Sequence, residues 1–165
     1  MILAGLLFPV MAAGVDIFVT TEADSGAGSL RAAITQANAG GTPARILFEM
    51  PPGQTAMTIR PATPLPVITQ NGIVIEGDGA VTLSGENCDA ANSHGLHIKS
   101  NSCIINALTI VNFATSNSAG ICIEGQEGQY LGSGNLVQSC RIGTDTDTLT
   151  AMGNYYGVLI KNFAQ

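Results

Sequence analysis

His94 and His97 stand three residues apart, and Cys122 follows one repeat later in the chain. Imidazole nitrogen and thiolate sulfur are the donors that borderline-soft metal ions take, so these three residues form the nearest thing to a zinc constellation. Against that chemistry, the spacings of Cys88, Cys103, Cys122 and Cys140 match no zinc pattern, and a histidine at a variable outward position is more often simply exposed. Four cysteines are also an even number, which an exported chain can pair and a reducing compartment leaves as thiols; both states stay open. A second candidate is the acidic pair Asp145-x-Asp147. Calcium binding or glycosidic cleavage needs clustered or paired carboxylates, but this pair sits in a Thr-Asp-Thr-Asp-Thr run that reads as a solvated inserted loop. Tyr130, Tyr155 and Tyr156 are the aromatics best placed to contact sugar; the plainer alternative is that they pack this loop against the rest of the chain.

Positioning such residues falls to a repeat. Gly72-Ile-Val-Ile-Glu76, Gly95-Leu-His-Ile-Lys99, Gly120-Ile-Cys-Ile-Glu124 and Gly157-Val-Leu-Ile-Lys161 share the template glycine, aliphatic, variable, isoleucine, charged. Asn92, Asn117 and Asn154 precede the last three copies at the same distance, and the copies are 23, 25 and 37 residues apart. Four copies at this pitch indicate a solenoid. Further short strands lie between them at 81–83, 103–105, 108–110 and 136–142, with no helical pattern intervening. A period this short excludes βαβ crossovers and gives a parallel β-helix, each strand pairing with its counterpart one turn on, about 4.8 Å away.

The template predicts stacks. Ile73, Leu96, Ile121 and Val158 should form one inward column, and Ile75, Ile98, Ile123 and Ile160 another. Glu76, Lys99, Glu124 and Lys161 should then alternate in sign on the outside, which places Cys122 beside His97. The longest step needs about twelve extra residues, which the segment 143–153 supplies as a loop. Asn106, Asn112 and Asn162 are expected to bond to backbone at bends.

Composition agrees with this layout. Gly, Asn, Ser and Thr make up 56 of 165 residues, Ile and Val 25, and charged residues only 11%, with no Trp. That favours β-structure and excludes disorder. A net charge of −6 without any Lys/Arg cluster argues against a nucleic-acid or anionic-membrane partner. The one convincing helix is Ser-Leu-Arg-Ala-Ala-Ile-Thr-Gln-Ala-Asn-Ala, with Leu30, Ala33, Ile34 and Ala37 on one face, Ser29 as N-cap and Gly40-Gly41 as stop. Strands are expected from Asp16, over 45–50, over 57–60 and over 66–69. Ile2 to Gly14 is uncharged and too short to span a bilayer, and reads as a signal-peptide remnant lacking its basic start; a buried N-terminal strand or helix is the alternative. No later run is long enough for a transmembrane helix.

At these residues the chain resembles the secreted bacterial right-handed β-helix proteins of the pectin-lyase-like superfamily that carry an N-terminal CSLREAI-type motif. The motif stands here as Gly28-Ser-Leu-Arg-Ala-Ala-Ile34 after Asp24-Ser-Gly-Ala, with Gly28 in place of the cysteine and Ala32 in place of the glutamate. Leu65-Pro-Val-Ile-Thr69, the segment 107–113, Ile142-Gly-Thr-Asp145, Gly153-Asn and Gly157-Val-Leu-Ile160 match as well. The resemblance implies an all-β, right-handed parallel β-helix closed at its N-terminal end by one short capping helix, on an exported or surface-displayed protein. The resulting division is a signal remnant over 1–14, a cap and first coil over 15–69, and further coils over 70–165 that continue beyond Gln165. For function it implies a structural or adhesive segment that contacts extracellular polysaccharide or a cell surface. The alternative is a polysaccharide lyase or glycoside hydrolase whose active site lies largely outside this chain, with Ca2+ as the cofactor such chemistry takes.

Overall fold

A short apolar strand between glycine and asparagine corners cannot satisfy its own backbone groups, and here each strand does so against the next turn of the chain. The computed structural model describes residues 14–129, 131–145 and 150–162. Its strands are parallel and stack as a β-solenoid of about four turns with one short helix. The elements are β1 (Val15–Val19), α1 (Leu30–Ala39), β2 (Ala44–Phe48), β3 (Met57–Ile59), β4 (Val74–Ser84), β5 (His94–Ile98), β6 (Ile104–Val111), β7 (Ala119–Glu124), β8 (Leu136–Gln138), β9 (Arg141–Ile142) and β10 (Tyr156–Lys161).

Each turn presents three faces. On the first, β1, β2, the start of β4, the start of β6 and β8 align Ile17, Ile46, Ile75, Ile105 and Val137. On the second, β3, the end of β4, the end of β6 and β9 align Ile59, Leu83, Ile110 and Ile142. On the third, Ile68 bridges to Ile98, followed by Ile123 and Ile160, with Leu96, Ile121 and Val158 alongside. These columns meet in a single apolar core in which Ile46, Ile68, Ile75, Ile98, Ile105, Ile110 and Ile121 are fully buried.

Corners need residues that bend without clashing. Between the first and second faces the β4 register shifts from Glu76 to Val81, with Asp78 and Gly79 in the left-handed region at φ 51° and 73°. A Cβ on Gly77 would come within 2.6 Å of the Ala107 carbonyl oxygen, so only glycine lets adjacent turns approach at this bend. The 66–69 segment contributes only a bridge at Ile68, because Pro64 and Pro66 lack the N–H groups a full ladder requires.

The alternation among Lys99, Glu124 and Lys161 holds: Lys161 pairs with Glu124, and Ile98 pairs with Ile123 one residue before Lys99 and Glu124. Glu76 is not part of it. The 23 residues from Ile75 to Ile98 carry the chain from the first face to the third within one turn, so Ile73, Ile75 and Glu76 stack on the first face instead. Glu76 there accepts two hydrogen bonds from Asn106 Nδ2, at 2.9 and 2.7 Å. Asn112 and Asn162 likewise donate to side chains, Ser84 Oγ and Glu124 Oε1, rather than to backbone. Other asparagines do bond backbone across turns, among them Asn71, which accepts from Asn101 N–H, Asn101, which accepts from Ser133 N–H, Asn135, which accepts from Cys103 N–H, and Asn154, which accepts from Phe113 N–H. In the segment from 143, Thr144 and Ala151 form an antiparallel bridge; residues 146–149 of the expected loop lie outside the described residues.

The helix forms as its pattern requires. Ser29 caps it by accepting the Ala32 N–H, and Leu30, Ala33, Ile34 and Ala37 are buried against the first turn. Two side chains lock it down. Arg31 donates to the Asp24 carboxylate and to the carbonyls of Asp24, Thr63 and Pro64. Asn38 donates to the Val67 carbonyl and accepts from the Thr69 and Gln70 N–H groups. The arginine of the Ser-Leu-Arg motif is thus a clamp between the cap and the third face. Among the described residues, no helix is long and apolar enough to cross a membrane. Residues 1–13 of the expected signal remnant lie outside the described residues.

Position in the column sets the cost of truncation. Ile75, enclosed between Ile46 and Ile105, should lose about 2–5 kcal/mol on Ile75→Ala. Ile160 occupies an equivalent column but is 62% exposed on β10, and Ile160→Ala should cost less than about 1 kcal/mol. Urea denaturation of the two variants tests this ordering.

Candidate functional site

Parallel pairing of β5, β7 and β10 brings the outward residues of three turns together on the third face. His97 pairs with Cys122, and Cys122 with Leu159. Two residues further along, Lys99, Glu124 and Lys161 form the next outward row. Glu124 is its centre: its carboxylate lies 2.7 Å from His97 Nε2, 3.0 Å from Lys99 Nζ and 3.4 Å from Lys161 Nζ, and it accepts from Asn162 Nδ2 at 3.1 Å. His94 meets the His97 ring edge-on, with centroids 5.0 Å apart. Cys122 is fully buried beneath this arrangement, although it points away from the apolar core.

The electrostatics follow from burial and from the two lysines. Burial alone would raise the Glu124 pKa, but hydrogen bonds from Lys99, His97 and Asn162 and the charge of Lys161 outweigh it and bring the value down to about 2. His94 goes the other way from an ordinary histidine: burial, then His97 and Lys161, lower it to about 4. His97 is lowered by burial, which its Glu124 partner only partly offsets. Burial raises the Cys122 thiol. At neutral pH the cluster therefore holds a carboxylate, two ammonium groups, two neutral imidazoles and a protonated thiol. A fully buried, protonated sulfur is a poor nucleophile, so the Cys122, His97 and Glu124 cluster is not arranged for thiol catalysis.

The structure brings His94, His97 and Cys122 together, as the repeat register requires. The ring nitrogen of His97, the Cys122 sulfur and a Glu124 oxygen lie within 4.8 Å of one another. Glu124 was legible as a ladder charge but not as a partner of His97, since that contact runs diagonally between neighbouring strands. The remaining candidates lie elsewhere. Asp145 accepts the Thr150 N–H through its carboxylate, while Asp147 lies outside the described residues. Tyr155 and Tyr156 form an edge-on pair with centroids 4.8 Å apart and are 51% and 40% exposed; Tyr130 lies outside the described residues. Cys88, Cys103, Cys122 and Cys140 are all free thiols. Comparison of the chain with protein-family models, with curated proteins and with solved structures returns no match.

Acid should loosen this face in two stages. His94 has a folded pKa below its unfolded value, so its contribution is present above about pH 6.5 and is lost as pH falls toward 4. Glu124 is also depressed, and its contribution is lost between about pH 4.5 and 2. Each stage is on the order of 1–3 kcal/mol after screening by solvent at the half-exposed lysines. Urea midpoints measured from pH 7 to pH 3 should fall throughout; His94→Leu should shrink the upper stage, to which His97 also contributes, and Glu124→Gln should flatten the lower one.

Proposed function

We propose that the chain is a structural and adhesive β-solenoid segment of an exported or cell-surface protein of the pectin-lyase-like kind, and that it contacts polysaccharide through Tyr155 and Tyr156. The observation carrying this reading is the half-exposed, edge-on tyrosine pair at the start of β10. Elsewhere the outward side chains of the third face are tied to one another, as Glu124 is to His97, Lys99, Lys161 and Asn162. The tyrosines instead offer aromatic faces on which the apolar side of a sugar ring packs. Support for export comes from the Ser-Leu-Arg motif and the apolar N-terminal run, both features of the resemblance.

A net charge of −6 favours neutral over acidic glycans as the contact. The chain should be retained on insoluble neutral polysaccharides, and replacing both Tyr155 and Tyr156 by alanine should reduce retention about tenfold. Retention unchanged by the double substitution would remove the tyrosines from the reading. Screening polygalacturonate and neutral glycans with and without Ca2+ tests the enzymatic alternative: turnover by this chain would overturn a purely structural and adhesive role.

A further inference from the structure

Cys122 has a place in the fold that packing does not account for. It points outward, away from the isoleucine columns, yet is fully buried, and its neighbours across the strands are His97 on one side and Leu159 on the other. Next to this pair of rows, His94 is only 7% exposed and its Nδ1 is buried without a hydrogen-bond partner. An orphaned buried ring nitrogen carries an uncompensated desolvation penalty, so a nitrogen left in that state on a ring that meets His97 edge-on, next to the cluster of His97, Cys122 and Glu124, points to a ligand.

We propose that His94, His97, Cys122 and Glu124 form a binding site for a borderline-soft divalent transition-metal ion of the Zn2+ class. Two imidazoles, a thiolate and a carboxylate are a donor set that zinc takes, and four such donors complete a tetrahedral shell. Three of the four already have ligand atoms within 4.8 Å of one another, against about 3.3–3.8 Å around a bound ion, a distance that side-chain rotation closes. Each comes from a strand whose register is fixed by the solenoid, so the donors need no loop to fold around the metal. The thiolate and carboxylate together match the charge of the ion. Coordination replaces the Cys122 S–H bond by an S–metal bond and releases one proton to solvent. Lys99 and Lys161, which neutralise Glu124 in the metal-free chain, are 36% and 37% exposed and turn out to water when the ion takes that role.

This division gives the lysines opposite signs in the two states. A residue that stabilises the metal-free cluster competes with the ion, so removing it should tighten binding; a ligand removed should weaken it. The test is Co2+ titration of the reduced, untagged full chain followed by absorption, with Zn2+ competition followed by calorimetry. Expected are one ion per chain, visible bands of tetrahedral intensity and a near-ultraviolet thiolate-to-cobalt band that Zn2+ abolishes. Cys122→Ser should eliminate the near-ultraviolet band and weaken binding at least about tenfold, whereas Cys140→Ser should retain both. Lys161→Met should tighten binding about tenfold. Circular dichroism of each variant separates loss of the site from loss of the fold, and His94→Gln provides a second ligand deletion if Cys122→Ser does not fold. Absence of the bands in the unmodified chain overturns the proposal, as does a thiolate band that survives Cys122→Ser. Unchanged or weaker binding in Lys161→Met removes Glu124 from the ligand set and overturns the four-residue site.

Discussion

In-register parallel pairing is the constraint from which the other features follow. Each strand lies on its counterpart about 4.8 Å away, so a side chain has the next turn's equivalent as its nearest neighbour. Apolar residues gain from that arrangement, and the isoleucines of the three faces form continuous columns. Ionised residues do not, because like charges at that spacing repel. The third face resolves the difficulty by interposing Glu124 between Lys99 and Lys161, and the first by placing the amide of Asn106 over Glu76. Low charge content and a high isoleucine and valine content are two sides of the same requirement.

The same stacking decides what was readable from the residues. Alternation located the strands, and the spacing of Leu30, Ala33, Ile34 and Ala37 located the helix with its cap, because both depend on local periodicity. Three of the four template copies stack as their pattern requires, with Gly95, Gly120 and Gly157 lying inside β5, β7 and β10, whereas Gly72 sits at a left-handed corner before β4. The Gly72 copy misleads for a physical reason: any inward strand after a glycine corner fits the template, and nothing in five residues records which face it occupies. The outcome for Asn106 has the same origin, as its partner Glu76 is 30 residues away and only the turn length brings them together.

Site geometry was legible in part. That Cys122 lies beside His97 follows from register alone. The centrality of Glu124 does not, because its contact with His97 is diagonal and depends on side-chain reach. Nor does sequence indicate that Cys122 would be covered, since an outward position in a strand is ordinarily wet. Burial of an outward thiol is what distinguishes this patch from a common surface ion cluster.

The clamp that holds α1 has a temporal consequence. Its anchors, the carbonyls of Thr63, Pro64 and Val67 and the amides of Thr69 and Gln70, come about thirty residues after Arg31 and Asn38 in the chain. On a ribosome the helix emerges well before the groups that fasten it. A ten-residue helix alone in water is marginal, so the polar clamp at Arg31 and Asn38 stays open until the chain has closed its first circuit. Synthesis from the N-terminus therefore sets an order of events: the lid and the first layer become permanent together, and each later layer settles on a finished one.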